Sequence, residues 1–127
     1  MAYGAEQIFE ELEEEKHPCS NKPIDLVHLS RQTFGNKDLE NEVLGLFYKH
    51  SQQCLTRLRE ATTPKQWAEA MHSIKGSSRG IGAWEIGELA EKYECTHPTE
   101  TETEKEKAVR KIENLINKTN KFIKNLI

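Results

Sequence analysis

The chain has 127 residues, of which 35% are hydrophobic and 31% charged, and its formal net charge is −3. This length is enough for one domain with a single core, and the composition is typical of a small helical protein with solvated outer faces. The near-neutral charge gives no reason to expect nucleic-acid binding. No apolar run approaches the length of a membrane span, and the acidic N-terminus does not resemble a signal peptide. The sequence therefore predicts a cytoplasmic location without membrane association.

The cysteines and histidines give no metal-site pattern. Cys19, Cys54 and Cys95 are widely separated, which is typical of reduced thiols. His17 lies close to Cys19, but this pair lacks a second pair at ligand spacing. We therefore expect no metal and no cofactor on this chain. Motifs of phosphate loops, nucleophile elbows and metalloproteases are also missing from the sequence.

The N-terminal part differs in composition from the rest of the chain. Residues 4–16 combine a few apolar positions with a run of glutamates, which predicts a short amphipathic helix. Prolines and polar residues in 17–23 predict a linker. We divide the chain into an N-terminal acidic helix with its linker at 1–20 and a helical domain at 21–127. The sequence leaves open whether the acidic helix docks on this domain or on a partner, and its presence favours a free-standing protein.

The helical domain is predicted to contain one short and four longer helices, because apolar residues recur at three- and four-residue steps. The short helix is expected to turn Val27 inward, and the first long helix is expected to bury Leu39. No strand pattern and no internal repeat is present. The predicted fold class is all-α, an up-down four-helix bundle with additional short N-terminal helices. The predicted helices cover residues 24–33, 36–61, 63–79, 83–94 and 104–127.

The middle helix has clear ends and an unusual polar face. Thr63-Pro64-Lys65-Gln66 combines a capping threonine, a proline at the first helical position and a glutamine at the third. On a helical wheel with Trp67 at zero, the apolar stripe lies within about 60° of that residue. His72 lies about 140° from Trp67, Arg79 about 120° and Gly76 about 180°. The imidazole of His72 is therefore predicted to point at solvent from a rigid element.

This setting suits phosphoryl transfer. An imidazole is a competent nucleophile near neutral pH, and the transfer mainly requires alignment and neutralisation of the phosphoryl charge. Lys75 lies one turn from His72, Arg79 would extend the positive patch, and Lys65 would contribute from the other end of the same face. Gly76 costs about 1 kcal/mol relative to alanine in a helix and would leave room for a partner. The alternative interpretation is a solvated histidine without a role.

The other four histidines lack this setting. His17 and His97 precede prolines in predicted connections, and His28 lies on the short helix without a lysine at helical spacing. His50 interrupts the apolar stripe of its helix, so we expect it to be partly buried and hydrogen-bonded. Only His72 combines a capped helix, neighbouring cations and a glycine.

The run His72-Ser73-Ile74-Lys75-Gly76-Ser77-Ser78, followed by Gly80-Ile81-Gly82-Ala83, resembles the histidine-containing phosphotransfer (HPt) domains of two-component phosphorelays. The resemblance covers residues 24–94, and the final helix matches only in kind. It implies that His72 accepts a phosphoryl group, usually on the distal ring nitrogen, and exchanges it with an aspartate of a receiver domain. Lys75 matches the charge-balancing lysine of the family and Gly76 its clearance residue.

One position departs from the family pattern. Many HPt domains carry a glutamine that touches the histidine, and the matching residue here is Glu94. A carboxylate at this position could orient the ring and raise its basicity, or it could repel the incoming phosphoryl group. A structural role as a solvated charge is the alternative.

The resemblance also implies the partners and the limits of the activity. The chain would be a phosphocarrier and not an enzyme, because it lacks the ATP-binding motifs of a histidine kinase. A response-regulator receiver domain would supply Mg²⁺ and the acceptor aspartate, a (hybrid) histidine kinase would be the other partner, and the chain would act as a monomer. The alternative is an inactive HPt-like bundle that serves as a docking module. A metal-dependent bundle enzyme is disfavoured, because the apolar stripes carry almost no carboxylates or histidines.

Overall fold

The structure is a computed structural model that describes residues 22–96 and 101–126. These residues form α-helices and no strand, which confirms the all-α prediction. None of the described helices has the length and apolar character needed to cross a membrane. The acidic helix and linker predicted at 1–20 lie outside the described residues, so the division of the chain stays a prediction. The helices are α1 (Leu26–Gln32), α2 (Lys37–Glu60), α3 (Pro64–Gly80), α4 (Trp84–Glu94) and α5 (Glu102–Leu126).

The four longer helices form the bundle. α2 packs on α3 and α5, and α4 packs on the same two helices. The connections at 61–63 and 81–83 are too short for anything but antiparallel neighbours, as in an up-down bundle. One core lies between these helices. Its largest fully buried side chains include Leu44, Phe47, Leu58, Trp67, Met71, Ile74, Ile86 and Ile112.

Two residues of the predicted apolar stripes are exposed. Val27 is 65% exposed, because Leu29 is the buried aliphatic residue of α1 and Val27 lies about 200° around the helix from it. Leu39 is 37% exposed. The first buried residue of α2 is Val43, one turn later, so the first turn of α2 extends beyond the core. The predictions for Val27 and Leu39 were therefore wrong.

The predicted start of α3 is confirmed. The Thr63 hydroxyl accepts a hydrogen bond from the Gln66 main-chain N–H at 3.1 Å. The Gln66 side-chain oxygen in turn accepts from the Thr62 N–H at 2.8 Å, and Pro64 occupies the first helical position. The first contact satisfies one of the N–H groups that an uncapped helix leaves without a partner, and the second ties the preceding residue to the first turn. Local chemistry thus determines where the site-bearing helix begins.

The turn between α3 and α4 is fastened to the start of α1. The Asp25 N–H donates to the Gly82 carbonyl at 2.9 Å, and the Trp84 indole N–H donates to the Asp25 carboxylate at 3.1 Å. Gly82 has φ +84°, and a Cβ there would lie 2.9 Å from the Asp25 carbonyl oxygen. Only glycine suits this position, since other residues rarely adopt such a φ and would collide with Asp25. Contacts with Asp25, which precedes α1, therefore stabilise the turn that makes α3 and α4 antiparallel.

A buried lysine joins the start of α5 to the end of α2. The Lys105 ammonium donates to the Arg59 carbonyl at 2.6 Å and to the Ala61 carbonyl at 2.8 Å. A cation is favourable here, because the last carbonyls of a helix lack intrahelical partners and carry partial negative charge. Lys105 thereby fixes the connection that leads into α3.

We expect Lys105→Met to destabilise the protein by about 1–3 kcal/mol, because it removes the donor from two carbonyl groups at the end of α2. Chemical denaturation in urea measures this effect as a lower midpoint at an unchanged slope. Lys107→Met is the matched control, since Lys107 is exposed two residues further along the same helix. Equal midpoints for the two variants would contradict this account of Lys105.

Candidate functional site

His72 lies in the middle of α3, and its side chain is 52% exposed. The other two histidines among residues 22–96 and 101–126 are buried. The His28 ring packs edge-on against Trp84 with the centroids 4.8 Å apart. His50 Nε2 lies 3.4 Å from Cys54 Sγ, which confirms the expectation of a hydrogen-bonded histidine there, although the residue is fully and not partly buried. Within the described part of the chain, His72 is thus the histidine that a partner can reach.

Glu94 joins the histidine and the lysine of the site. It is the last residue of α4, and one carboxylate oxygen lies 3.1 Å from His72 Nδ1. The other oxygen lies 2.8 Å from the Lys75 ammonium. In the neutral ring, a carboxylate acceptor at Nδ1 favours the tautomer that carries its proton there. Nε2 then keeps the lone pair, so the distal nitrogen is the nucleophilic one.

The Glu94 carboxylate is ionised at neutral pH. Partial burial raises the pKa of this group, and burial is the largest single influence. The hydrogen bond and the charge of Lys75, together with His72, act in the opposite direction and outweigh it. The net effect holds the pKa of Glu94 below its ordinary value of 4.5. The site therefore contains a fixed negative charge between two nitrogen groups.

Lys75 lies on the same face of α3 as His72, one turn further along the helix. Its side chain is only 20% exposed, because it lies at the interface between α3 and α4 and pairs with Glu94. The cation predicted beside the ring is therefore present, and a carboxylate from another helix holds it there. The sequence analysis missed this contact between Lys75 and Glu94.

Two residues of the predicted polar face are buried. Arg79 is 7% exposed and its guanidinium pairs with Glu91 of α4. The prediction of an exposed positive patch was wrong at Arg79. Its wheel angle is close to that of His72, but Arg79 lies two turns further along α3, where it packs against Gly87 of α4. Gly76 is also buried, whereas the wheel placed it on open surface. Its role as a clearance residue stays a prediction.

Lys65 lies in the first turn of α3 and is exposed. It lines a groove of about 710 Å³ that also reaches His72 and Glu94. Arg57 and Glu69 lie on the walls of the same groove, so its charges are mixed. Lys65 thus lies on the same side of the molecule as the His72 ring, as predicted, at the far end of this groove.

The last turn of α4 is also anchored by Trp67. The Trp67 indole N–H donates to the Tyr93 carbonyl at 3.0 Å, next to Glu94 in the chain. Sequence analysis placed Trp67 in the core and missed this polar contact. The indole N–H was the available signal, because a buried tryptophan usually finds an acceptor for it.

Residues 42–120 match the model of the Hpt domain family. This range is more than half of the chain and includes His72, Lys75, Gly76 and Glu94. The chain therefore belongs to the Hpt domain family, whose members are phosphotransfer modules of phosphorelays without kinase activity of their own. Searches of curated proteins and of solved structures returned no significant match.

We expect the contribution of Glu94 to stability to disappear in acid. Because the pKa of Glu94 is lower in the folded chain than its ordinary 4.5, this contribution is fully present above pH 4.5. It is lost as the pH falls through the folded-state pKa, where the unfolded chain binds more protons. Thermal unfolding of the wild type and of Glu94→Gln from pH 7 to pH 3 measures the difference, which should shrink below pH 4.5.

The control for this series is Glu69→Gln, which removes an exposed carboxylate of α3. We expect this variant to follow the wild-type curve more closely than Glu94→Gln does at neutral pH. A stability difference for Glu94→Gln that stays constant from pH 7 to pH 3 would contradict the assigned ion pair.

Proposed function

We propose that this chain is a phosphorelay intermediate in which His72 accepts a phosphoryl group on Nε2 and exchanges it with an aspartate of a response-regulator receiver domain. The observation that carries the proposal is the exposed ring of His72, whose Nδ1 lies against the Glu94 carboxylate beside Lys75. Membership of the Hpt family supports phosphotransfer as the general role. The site supports the assignment of the acceptor atom.

The transfer follows from the position of the ring proton. With the Nδ1 proton directed at Glu94, the Nε2 lone pair attacks the phosphorus of the aspartyl phosphate. The N–P bond forms as the P–O bond to the aspartate breaks, and the aspartate leaves as a carboxylate. The ring gains positive charge, which the ionised Glu94 stabilises, and no proton has to leave. The reverse reaction uses the same contacts in the opposite order.

Lys75 supplies the positive charge for the moving group. Its ammonium lies beside the ring and is held by Glu94 at 2.8 Å. During the transfer the ammonium exchanges the Glu94 carboxylate for phosphoryl oxygens, so one charged acceptor replaces another. The developing negative charge on the phosphoryl oxygens then makes Lys75 more favourable in the transition state than in the resting protein.

The remaining parts of the proposal concern the partners. The receiver domain supplies the acceptor aspartate and Mg²⁺, and this chain needs no cofactor. A (hybrid) histidine kinase is the other partner of the relay. The chain is a carrier and not an enzyme, because its sequence lacks the ATP-binding motifs of a histidine kinase. Gly76 is buried, and because it adds no side chain one turn away from His72, it keeps the surface beside the ring low enough for the partner to approach. The chain acts as a monomer in the cytoplasm.

Incubation of the purified chain with a receiver carrying labelled aspartyl phosphate and Mg²⁺ tests the proposal. We expect label to leave the receiver and to appear on this chain in an acid-labile, base-stable form, as for phosphohistidine. A chain that binds the receiver but takes up no label would instead be a docking module. Labelling by acetyl phosphate alone serves as a second route to the same modified residue.

A further inference from the structure

The seam between α3 and α4 contains a contact that depends on a glycine. Arg79 of α3 crosses α4 at Gly87, where an added Cβ would lie 2.8 Å from Arg79 Cγ and 3.2 Å from Nε. The three atoms nearest to such a Cβ all belong to Arg79. An alanine would favour the helix more than glycine does. Gly87 is therefore the residue that lets Arg79 lie across α4.

The far end of Arg79 reaches the next turn of α4. Its guanidinium pairs with the Glu91 carboxylate, four residues after Gly87, and the arginine is buried in this position. Residues three and four apart share one face of a helix, so Gly87, Glu91 and Glu94 all face α3. The arginine contact and the phosphoryl-accepting site thus lie on the same face of the same short helix.

The placement of Glu94 depends on how α4 lies along α3. Glu94 ends the helix, and the N-terminal residue Ala83 gives α4 no side-chain cap. An axial shift of α4 by one residue would move Glu94 by about 1.5 Å. The donor–acceptor distances of N–H···O hydrogen bonds span only about 0.5 Å. The contact of Glu94 with His72 therefore requires that the position of α4 be held closely.

We propose that Arg79 is a positioning residue for the phosphoryl-accepting site. By lying across Gly87 and pairing with Glu91, it fixes the axial position of α4 on α3 together with the hydrogen bond from Trp67 to the Tyr93 carbonyl. This position keeps the Glu94 carboxylate at His72 Nδ1. The role of Arg79 in placing α4 is inferred from the contacts between α3 and α4 alone. Its effect on phosphoryl transfer rests on the proposed function.

The first test is Gly87→Ala with Gly45→Ala as its matched control. An added Cβ at Gly45 meets nothing within 4 Å, so the two variants make the same chemical change with and without a collision. The readout is the ¹⁵N chemical shifts of the His72 ring, which report where the ring proton lies. We expect Gly45→Ala to keep the wild-type shifts. Gly87→Ala should move them toward a mixture of tautomers, because either Arg79 leaves Glu91 or α4 moves.

The second test is Arg79→Met, which keeps an aliphatic side chain over Gly87 and removes the guanidinium. We expect the same change in the ring shifts and a decrease in the transfer rate of about tenfold, since a misplacement of about 1 Å at a reacting group costs up to about 100-fold. A third variant, Arg79→Ala, removes the Arg79 side-chain atoms that would collide with a Cβ at position 87. Adding Gly87→Ala to Arg79→Ala should therefore change the ring shifts little further.

Wild-type ring shifts in folded Arg79→Met would overturn the inference, whatever Gly87→Ala does. The shifts can be measured without any phosphoryl donor, so they test the role of Arg79 even if the wild type takes up no label. Conversely, a wild type that carries label and an Arg79→Met variant with unchanged shifts would leave the proposed function intact and remove only the positioning role.

Discussion

His72→Gln is expected to abolish acid-labile, base-stable labelling of this chain by a phosphorylated receiver. Glutamine offers a similar volume but no ring nitrogen, so no N–P bond can form. The substitution lies on an exposed face, and such changes typically shift the free energy of unfolding by within about 0.5 kcal/mol. We therefore expect the thermal transition to stay nearly unchanged while the label disappears. Labelling assays and thermal unfolding of the same preparation measure both quantities.

The control variants are His17→Gln and His97→Gln, which the sequence places in connections before prolines. We expect both to label as the wild type does. Persistent label in His72→Gln, or loss of label only in another histidine variant, would overturn the assignment of the acceptor. His28 and His50 are unsuitable as controls, because both are buried and their substitution would disturb the core.

Lys75→Ala is expected to slow phosphoryl transfer by tenfold or more. A hydrogen bond to a charged group contributes about 1.5–3 kcal/mol, and each 1.36 kcal/mol corresponds to a factor of ten in rate. The effect should exceed the loss in receiver affinity, because the ammonium acts on the group that is being moved. Rapid-mixing transfer kinetics and equilibrium binding to an unphosphorylated receiver give the two values.

Lys65→Ala is the matched control for charge. Lys65 is exposed on the same helix and lines the groove that reaches His72, but it lies two turns before His72. We expect a small effect on receiver affinity and almost none on the rate within the complex. If Lys75→Ala reduced affinity and rate equally, Lys75 would be only a docking contact.

Most of α3 could be predicted from the sequence, because its signals are local. The Thr63 cap and Pro64 act within one turn of the helix start, and Gly82 ends the segment with a positive φ. The periodicity that placed Trp67 in the core placed His72 on the outside, and both positions are confirmed. Such features depend on residues a few positions apart and hardly on the rest of the chain.

The exposure of Val27 and Leu39 could not be predicted from the periodicity of their own helices. Periodicity assigns Val27 and Leu39 to apolar faces, but it does not tell how far the neighbouring helices extend. α1 is short and α2 begins one turn before the core, so both side chains remain exposed. The burial of an apolar residue needs a second surface, and the sequence of its own helix does not supply one.

Sequence information alone was enough to predict the helical class, the ends of the site-bearing helix and the exposed histidine with its lysine. The packing of the helices was needed to show that Glu94 contacts both His72 and Lys75 and that Arg79 lies buried across Gly87. His72 and Glu94 are 22 residues apart and lie on different helices. A helical wheel gives the direction of each side chain around its own axis. The contact between Glu94 and His72 depends instead on the position of α4 along α3. Side chains that are distant in sequence hold α4 in this position.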